Sequence, residues 1–280
     1  MKIAIIGIGN MGSLFAKQLS DHDIYVYDKD EERLKAFDAN IITLDKLNDM
    51  DLVIVAVPLD LTNQVIEDIV KYMKKGAWLL EIASIKSNTY NILRKVAKRY
   101  DIKVSSIHPL FGKGIRTLKG AKIIFIPVID EYNEHKFLNN LFPNARIIKM
   151  DYREHDKIMA IVLGLTHLTN FIMAKILADE DYDRLKEIGG TTFRLQTILL
   201  ESIMNDPPSL SISLMLNNPY MKRYTKKYKN IVDELSEDII NNDHSIFNSY
   251  NRTRNKLSSL TNLEESYKLM YDILEVINKS

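Results

Sequence analysis

The chain has 280 residues, 46% hydrophobic and 27% charged, a globular composition long enough for two domains. Its 38 basic and 37 acidic side chains leave a formal charge of +1, which argues against a nucleic-acid surface or an anionic membrane as the main partner. Without cysteine there is no disulfide, thiolate nucleophile or cysteine-held metal, and a cytoplasmic home is expected.

In chain order, "KIAIIGI", "IYVYD", "DLVIVAVP", "AWLLEIA", "KVSSIHP", "AKIIFIPV" and "ARIIKM" read as strands, rich in Ile and Val and bounded by Gly, Pro or Asp. Helical patterns lie between several of them, among them Asn63 to Lys74 and Asn88 to Tyr100. Strands apolar on both faces and spaced by helices predict an α/β, Rossmann-type, doubly wound, mainly parallel sheet over residues 1–150. After Met150 the strand pattern stops. "DYREHDKIMAIVLGLTHLTNFIMAKILADE" keeps helical spacing throughout, and three or four further helices are expected, with breaks at "NDPPS" and "NNPY". Residues 151–280 therefore read as an all-α helical domain. No stretch approaches the roughly 20 uninterrupted apolar residues of a membrane span, and the N-terminus does not read as a signal peptide. Lys222, Lys226 and Lys229 form one stripe balanced by the following "DELSED", a solvated helix face.

"GIGNMG" has the G-x-G-x-x-G spacing, directly after a strand and opening a helix. Gly7 permits the tight turn, Gly9 lets backbone approach a pyrophosphate, and Gly12 allows close helix–strand packing; with Asn10 and Met11 they form the candidate cofactor loop. Asp28 ends the second strand about twenty residues later, where an acidic group reads the ribose and favours NAD over NADP, although Lys29 beside it weakens that preference. Val57 and Pro58 end the next long strand, where such a sheet opens toward its ligand. Two further strand ends carry chemistry: "EIASIKS" offers Ser84 and Lys86, and "SSIHPLFG" offers His108. Six histidines without clustered acidic partners make a metal site unexpected.

Taken with "AVPL", "EIASIK", "HPLFG", "REHDKIMAIVLGLTHLTNF" and "TTFRLQTILLESIMNDPPSLSISLMLNN", the chain resembles the prephenate and arogenate dehydrogenases of tyrosine biosynthesis over roughly residues 1 to 255. The resemblance implies NAD-dependent oxidative decarboxylation of prephenate, or of arogenate, to an aromatic phenol. It makes His108 the proton acceptor from the ring hydroxyl and gives Ser84 a role in holding histidine, hydroxyl and nicotinamide together. On its residues alone His108 could still be a structural loop histidine. Arg194 matches the family's substrate-binding arginine, whose planar fork suits a carboxylate, and its neighbours Phe193, Leu195, Ile198 and Leu199 suggest a mostly buried helix.

His167 by residue physics reads as a satisfied core histidine; the resemblance makes it a substrate contact, with Gly164 one turn earlier leaving space for a ligand. Lys86 reads equally as a solvated lysine or as a partner for a substrate carboxylate or the site's hydrogen-bond network. His155 reads as structural, with Asp151 or Asp156 complementing the helix end. Departures from the family's pattern are Ala83 after Glu81, where a small polar residue is usual, and Lys113 and Gly114 after the H-P motif, where some relatives are acidic. These leave the choice of substrate and any tyrosine inhibition open. A homodimer through the helical domain is expected, because helices such as Tyr267 to Ile277 must bury an apolar face. The chain starts at its first strand and only about twenty-five residues follow Lys256, so a stand-alone form without chorismate mutase or a C-terminal regulatory domain is expected. The rival readings are another Rossmann reductase, of the β-hydroxyacid or imine type, and a catalytically silent nucleotide-binding regulator.

Overall fold

The computed structural model describes residues 1–35, 37 and 39–279. They form two compact units, Met1–Val162 with Ile212–Pro219, and Leu163–Ser211 with Tyr220–Ser280.

The first unit is built on β1 (Lys2–Ile6), β2 (Asp23–Tyr27), β3 (Asn40–Ile41), β4 (Leu52–Val55), β5 (Trp78–Glu81), β6 (Lys103–Pro109), β7 (Lys122–Ile126) and β8 (Arg146–Lys149). They make one sheet in the order β3-β2-β1-β4-β5-β6-β7-β8. Every pair is parallel except β6 with β7. All seven expected strands are present. The two-residue β3 is additional, too short to leave a periodic signal.

The helices of this unit are α1 (Asn10–Gln18), α2 (Glu31–Lys35), α3 (Leu59–Ile69), α4 (Tyr90–Tyr100), α5 (Glu131–Leu141) and α6 (Tyr152–Met159). Successive side chains of a strand point to opposite faces, and the core divides accordingly. Ile3 and Ile5 pack on one face with Phe15 of α1 and Leu138 of α5, while Ala4 and Ile6 pack on the other with Ile66 of α3 and Leu93 of α4. That is why central strands such as β1 and β4 read as continuous apolar runs: each is buried on both faces. A truncation such as Ile5→Ala would cost about 2–5 kcal/mol.

Asp151 caps α6, accepting from the backbone N–H groups of Arg153 and Glu154. The helix then passes through a π-helical turn, Ala160–Leu165, into α7 (Thr166–Ala178). The single long helix expected here is thus continuous but locally widened, a change that leaves no sequence signal of its own. The described residues Tyr152–Ala178 are long and apolar enough to cross a membrane by length and composition, and only 28% of the most apolar window is buried in the single chain.

Among the described residues six helices follow where three or four were expected: α8 (Tyr182–Ile188), α9 (Thr191–Met204), α10 (Pro208–Leu216), α11 (Met221–Ile240), α12 (Ser245–Ser258) and α13 (Leu263–Lys279). The extra breaks fall at Gly189–Gly190, Asn241–His244 and Ser259–Asn262. The anticipated breaks after α9 and α10 are present, and the lysine stripe on α11 is exposed. Residues 212–219 go with the first unit through side-chain bonds. Ser213 and Asn217 donate to the Asp60 carboxylate, and the Asn218 amide donates to the backbone carbonyl of Asp156.

Candidate active site

Strand register sets the site's frame. Ile6 lies beside Val55, Val55 beside Glu81, and Glu81 beside Ser106, so the loops after β1, β4 and β5 open on one sheet edge with the end of β6. At β1, Gly7 has φ +96°, a left-handed conformation, and a Cβ there would also lie 2.7 Å from the Ala56 carbonyl oxygen. A Cβ on Gly12 would meet the Gly7 carbonyl oxygen at 1.9 Å, so only glycine lets α1 start this close to the strand. Gly9 is the N-cap of α1 without a side-chain cap; the nearest atom to a Cβ there is Arg33 Nη1, at 4.0 Å. Asn10 is exposed and Met11 half-buried. The cradle is open where an anion would sit and closed where the backbone must pack.

Asp28 follows β2 and faces this loop. One carboxylate oxygen accepts from Ile8 N–H at 2.7 Å and the other from Asp30 N–H at 2.9 Å. Arg33 pairs with Asp30. Val57 is half-buried and Pro58 exposed, just past β4.

His108 lies on β6, 4% exposed. Its Nδ1 is 2.9 Å from Nε2 of His155 on α6, and His155 Nδ1 is 2.7 Å from an Asp156 carboxylate oxygen. Among the described residues nothing hydrogen-bonds to His108 Nε2. The Asp156 carboxylate also accepts from the backbone N–H groups of Lys86 and Ser87, at 2.8 and 2.7 Å. Lys86 is fully buried: its ammonium donates to Glu81 at 3.0 Å and to the Ile107 carbonyl, one residue before His108. Ser106 donates to the same Glu81 oxygen at 2.7 Å, and Ala83 N–H to the other. Ser84 is half-buried in the turn between Glu81 and Lys86.

Burial in this setting disfavours charge on the rings. It pushes the His108 pKa well below the usual histidine value, and His155 and Lys86 push it further. Burial also lowers His155, against the opposing pull of Asp156. For Asp156 burial acts upward, but hydrogen bonds from His155, Lys86 and Ser87 outweigh it and hold the carboxyl below its ordinary value. Lys86 is lowered by burial, with Glu81 opposing. The result is a neutral imidazole at the sheet edge, braced by an ionic network.

The other expected residues belong to the helical unit. His167 on α7 is 8% exposed; its Nδ1 lies 2.9 Å from the Ser211 hydroxyl, and burial lowers its pKa. Space for a ligand beside Gly164 is not there. A Cβ on Gly164 would fall 2.2 Å from the Met221 sulfur, so the glycine makes room for that side chain. Arg194 is exposed in the first turn of α9, and Gln196 on the same helix donates to Asn170 of α7 at 2.9 Å. The expected burial of α9 is also corrected: Ile198 and Leu199 are 40% and 45% exposed in the single chain.

The residues read as structural that the fold brings to His108 are His155 and Asp156, both fully buried, His155 bonded to His108 and Asp156 to His155. A His-Asp pair embedded ahead of the apolar run "KIMAIV" was the available signal. Among the described residues no group of three or more His, Asp or Glu could hold a metal.

Two domain families match in tandem. The one described as "Prephenate dehydrogenase, nucleotide-binding domain" covers residues 12–128, and "Prephenate dehydrogenase, dimerization domain" covers residues 151–253. A curated relative, "Probable arogenate/prephenate dehydrogenase" of Methanocaldococcus jannaschii, is 25% identical over 88% of this chain and 58% of its own length. The "T-protein" of Enterobacter agglomerans is 26% identical over 81% of this chain and 60% of its own length. The chain thus spans under two thirds of the length of both. Prephenate dehydrogenase from A. aeolicus, solved with hydroxyphenyl propionate and NAD+, shares the fold with a TM-score of 0.71 at 18% identity, over 93% of this chain and 98% of that one.

Proposed function

Because the chain belongs to the prephenate dehydrogenase family, we propose that it catalyses the NAD-dependent oxidative decarboxylation of prephenate, with arogenate as the alternative substrate. The observation that carries this reading is His108 itself, a buried, neutral imidazole at the sheet edge that the glycine loop also occupies.

Gly7, Gly9, Asn10, Met11 and Gly12 would hold the cofactor's pyrophosphate against the start of α1, with Val57 and Pro58 beside it. The Asp28 carboxylate, already oriented by Ile8 N–H, keeps lone pairs for ribose hydroxyls and opposes a 2′-phosphate, which supports NAD over NADP. When bound, NAD accepts hydride from the ring carbon that bears the hydroxyl. As that carbon is oxidised its hydroxyl becomes acidic, and His108 takes the proton on its unpaired ring nitrogen. Because burial keeps His108 neutral, it is ready to accept at neutral pH.

Ser84 orients the hydroxyl and the histidine. Lys86, engaged with Glu81 and Ile107, serves the network that fixes β6 rather than touching a substrate carboxylate. Arg194 provides a bidentate partner for a substrate carboxylate, and His167 a second polar contact.

The helical unit forms a homodimer that covers the apolar faces of α7 and α9, which suits a chain working in the cytoplasm rather than in a lipid bilayer. Light scattering should then give about twice 32.4 kDa; a monomer would contradict it. The activity is tested by NADH formation with NAD and each dienol offered separately. Turnover of prephenate supports the reading, turnover of arogenate alone reassigns the side chain, and silence with both while NAD binds overturns it.

A further inference from the structure

Hydrogen-bond roles along His108, His155 and Asp156 can be assigned in sequence, starting from the group that has no choice. A carboxylate only accepts, and Asp156 is held ionised by its three donors. His155 Nδ1, 2.7 Å away, must therefore carry its proton. The reverse tautomer would set two buried acceptors against each other, at a cost no nearby group offsets. Neutral His155 then presents a lone pair at Nε2, 2.9 Å from His108 Nδ1. His108 must donate there, which leaves its own lone pair on Nε2, the nitrogen without a partner among the described residues.

We propose that His155 and Asp156 are positioning residues that lock His108 in the Nδ1–H tautomer, keeping Nε2 as the base. This rests on the reading of His108 as proton acceptor. The logic is that of any buried acid–imidazole pair whose job is to fix a tautomer and support the cation that forms transiently. Here a second imidazole is interposed, so the carboxylate acts one ring away.

When Nε2 takes the substrate proton, His108 becomes an imidazolium. Its Nδ1–H bond to His155 strengthens, and the Asp156 charge supports it through that ring. The charged groups facing the pair are Asp156 from α6, with Lys86 and Glu81 from the β5 end. Lys86 and Glu81 are paired with each other, which leaves Asp156 as the anion in line with the histidines.

The test uses the full chain without substrate, ¹⁵N-labelled on histidine, with the His108 signals identified by their loss in His108→Asn. Wild type near neutral pH should show Nδ1 protonated and Nε2 unprotonated. His155→Phe, which removes the acceptor, should give mixed tautomers and lower kcat by roughly 10–100-fold, part of what a general base contributes, with KM little changed. His155→Gln, whose carbonyl can accept from Nδ1–H, should restore one tautomer and much of the rate. Asp156→Asn is less suitable, because its amide cannot accept from His155, Lys86 and Ser87 together. A wild-type His108 protonated on Nε2, or equal losses in both variants with the tautomer unchanged, overturns the proposal. If neither variant folds, the wild-type spectrum decides. It decides equally if no dienol is turned over, so this proposal can fail separately from the function.

Discussion

The sheet unit and the helical unit bury their side chains differently. Around β5, β6 and α6, even Glu81, Lys86, His155 and Asp156 are sealed from water, and each is hydrogen-bonded. Along α7 and α9, by contrast, Phe171, Ile172, Ile176, Ile198 and Leu199 remain in contact with solvent in the single chain. A parallel sheet covered on both faces completes its own core and can hold a polar network to fixed geometry. A helical unit with apolar stripes on several sides needs a second surface to complete it.

The sharpest way to break this contrast is to unpair a charge in each region. Lys86→Met leaves Glu81 buried without its cation and should destabilise the fold by about 3–5 kcal/mol in urea unfolding. A loss below 1 kcal/mol would mean that the network does not brace the site. Next in size is Arg194→Gln, which should weaken substrate binding by about 1.5–3 kcal/mol, seen as a raised KM with kcat little changed. An unchanged KM would make the arginine structural.

Acidification tests mainly the sheet unit, where two of the three buried histidines with lowered pKa values lie, His167 being the third. His108 and His155 have native pKa values lowered below the unfolded value near 6.5. As pH falls through that value, the unfolded chain takes up protons that the native chain refuses, so stability must drop. Between about pH 7 and 5.5 each histidine contributes up to roughly 1.4 kcal/mol of loss per pH unit. The slope should shrink in His108→Asn; a flat wild-type profile would contradict the neutral pair. Smallest is Lys186→Met in the helical unit. It removes an exposed ion pair with Glu201 and should cost under about 1 kcal/mol.

The sheet was legible because Ile and Val runs between helices have few other physical solutions. The glycine loop was legible because Gly7 and Gly12 are sites where a Cβ does not fit. The π-turn was not, since one widened turn leaves the apolar spacing on either side intact. His155 and Asp156 were missed because a polar first turn reads as capping. Asp151 does cap, but five residues later the carboxylate points inward. For α9, apolar neighbours pointed to burial, yet a single chain leaves two of them in water, as a face awaiting another surface would. Gly164 misled in a different way: a glycine on a packed helix makes room, but sequence does not say for which group.

The claim on which the rest depends is that His108 removes the proton. The direct measurement is kcat of His108→Asn with NAD and the active dienol, alongside calorimetric binding of both. The account predicts a fall of roughly 10²–10⁴-fold in kcat with binding retained, the worth of a general base. An undiminished kcat would contradict it.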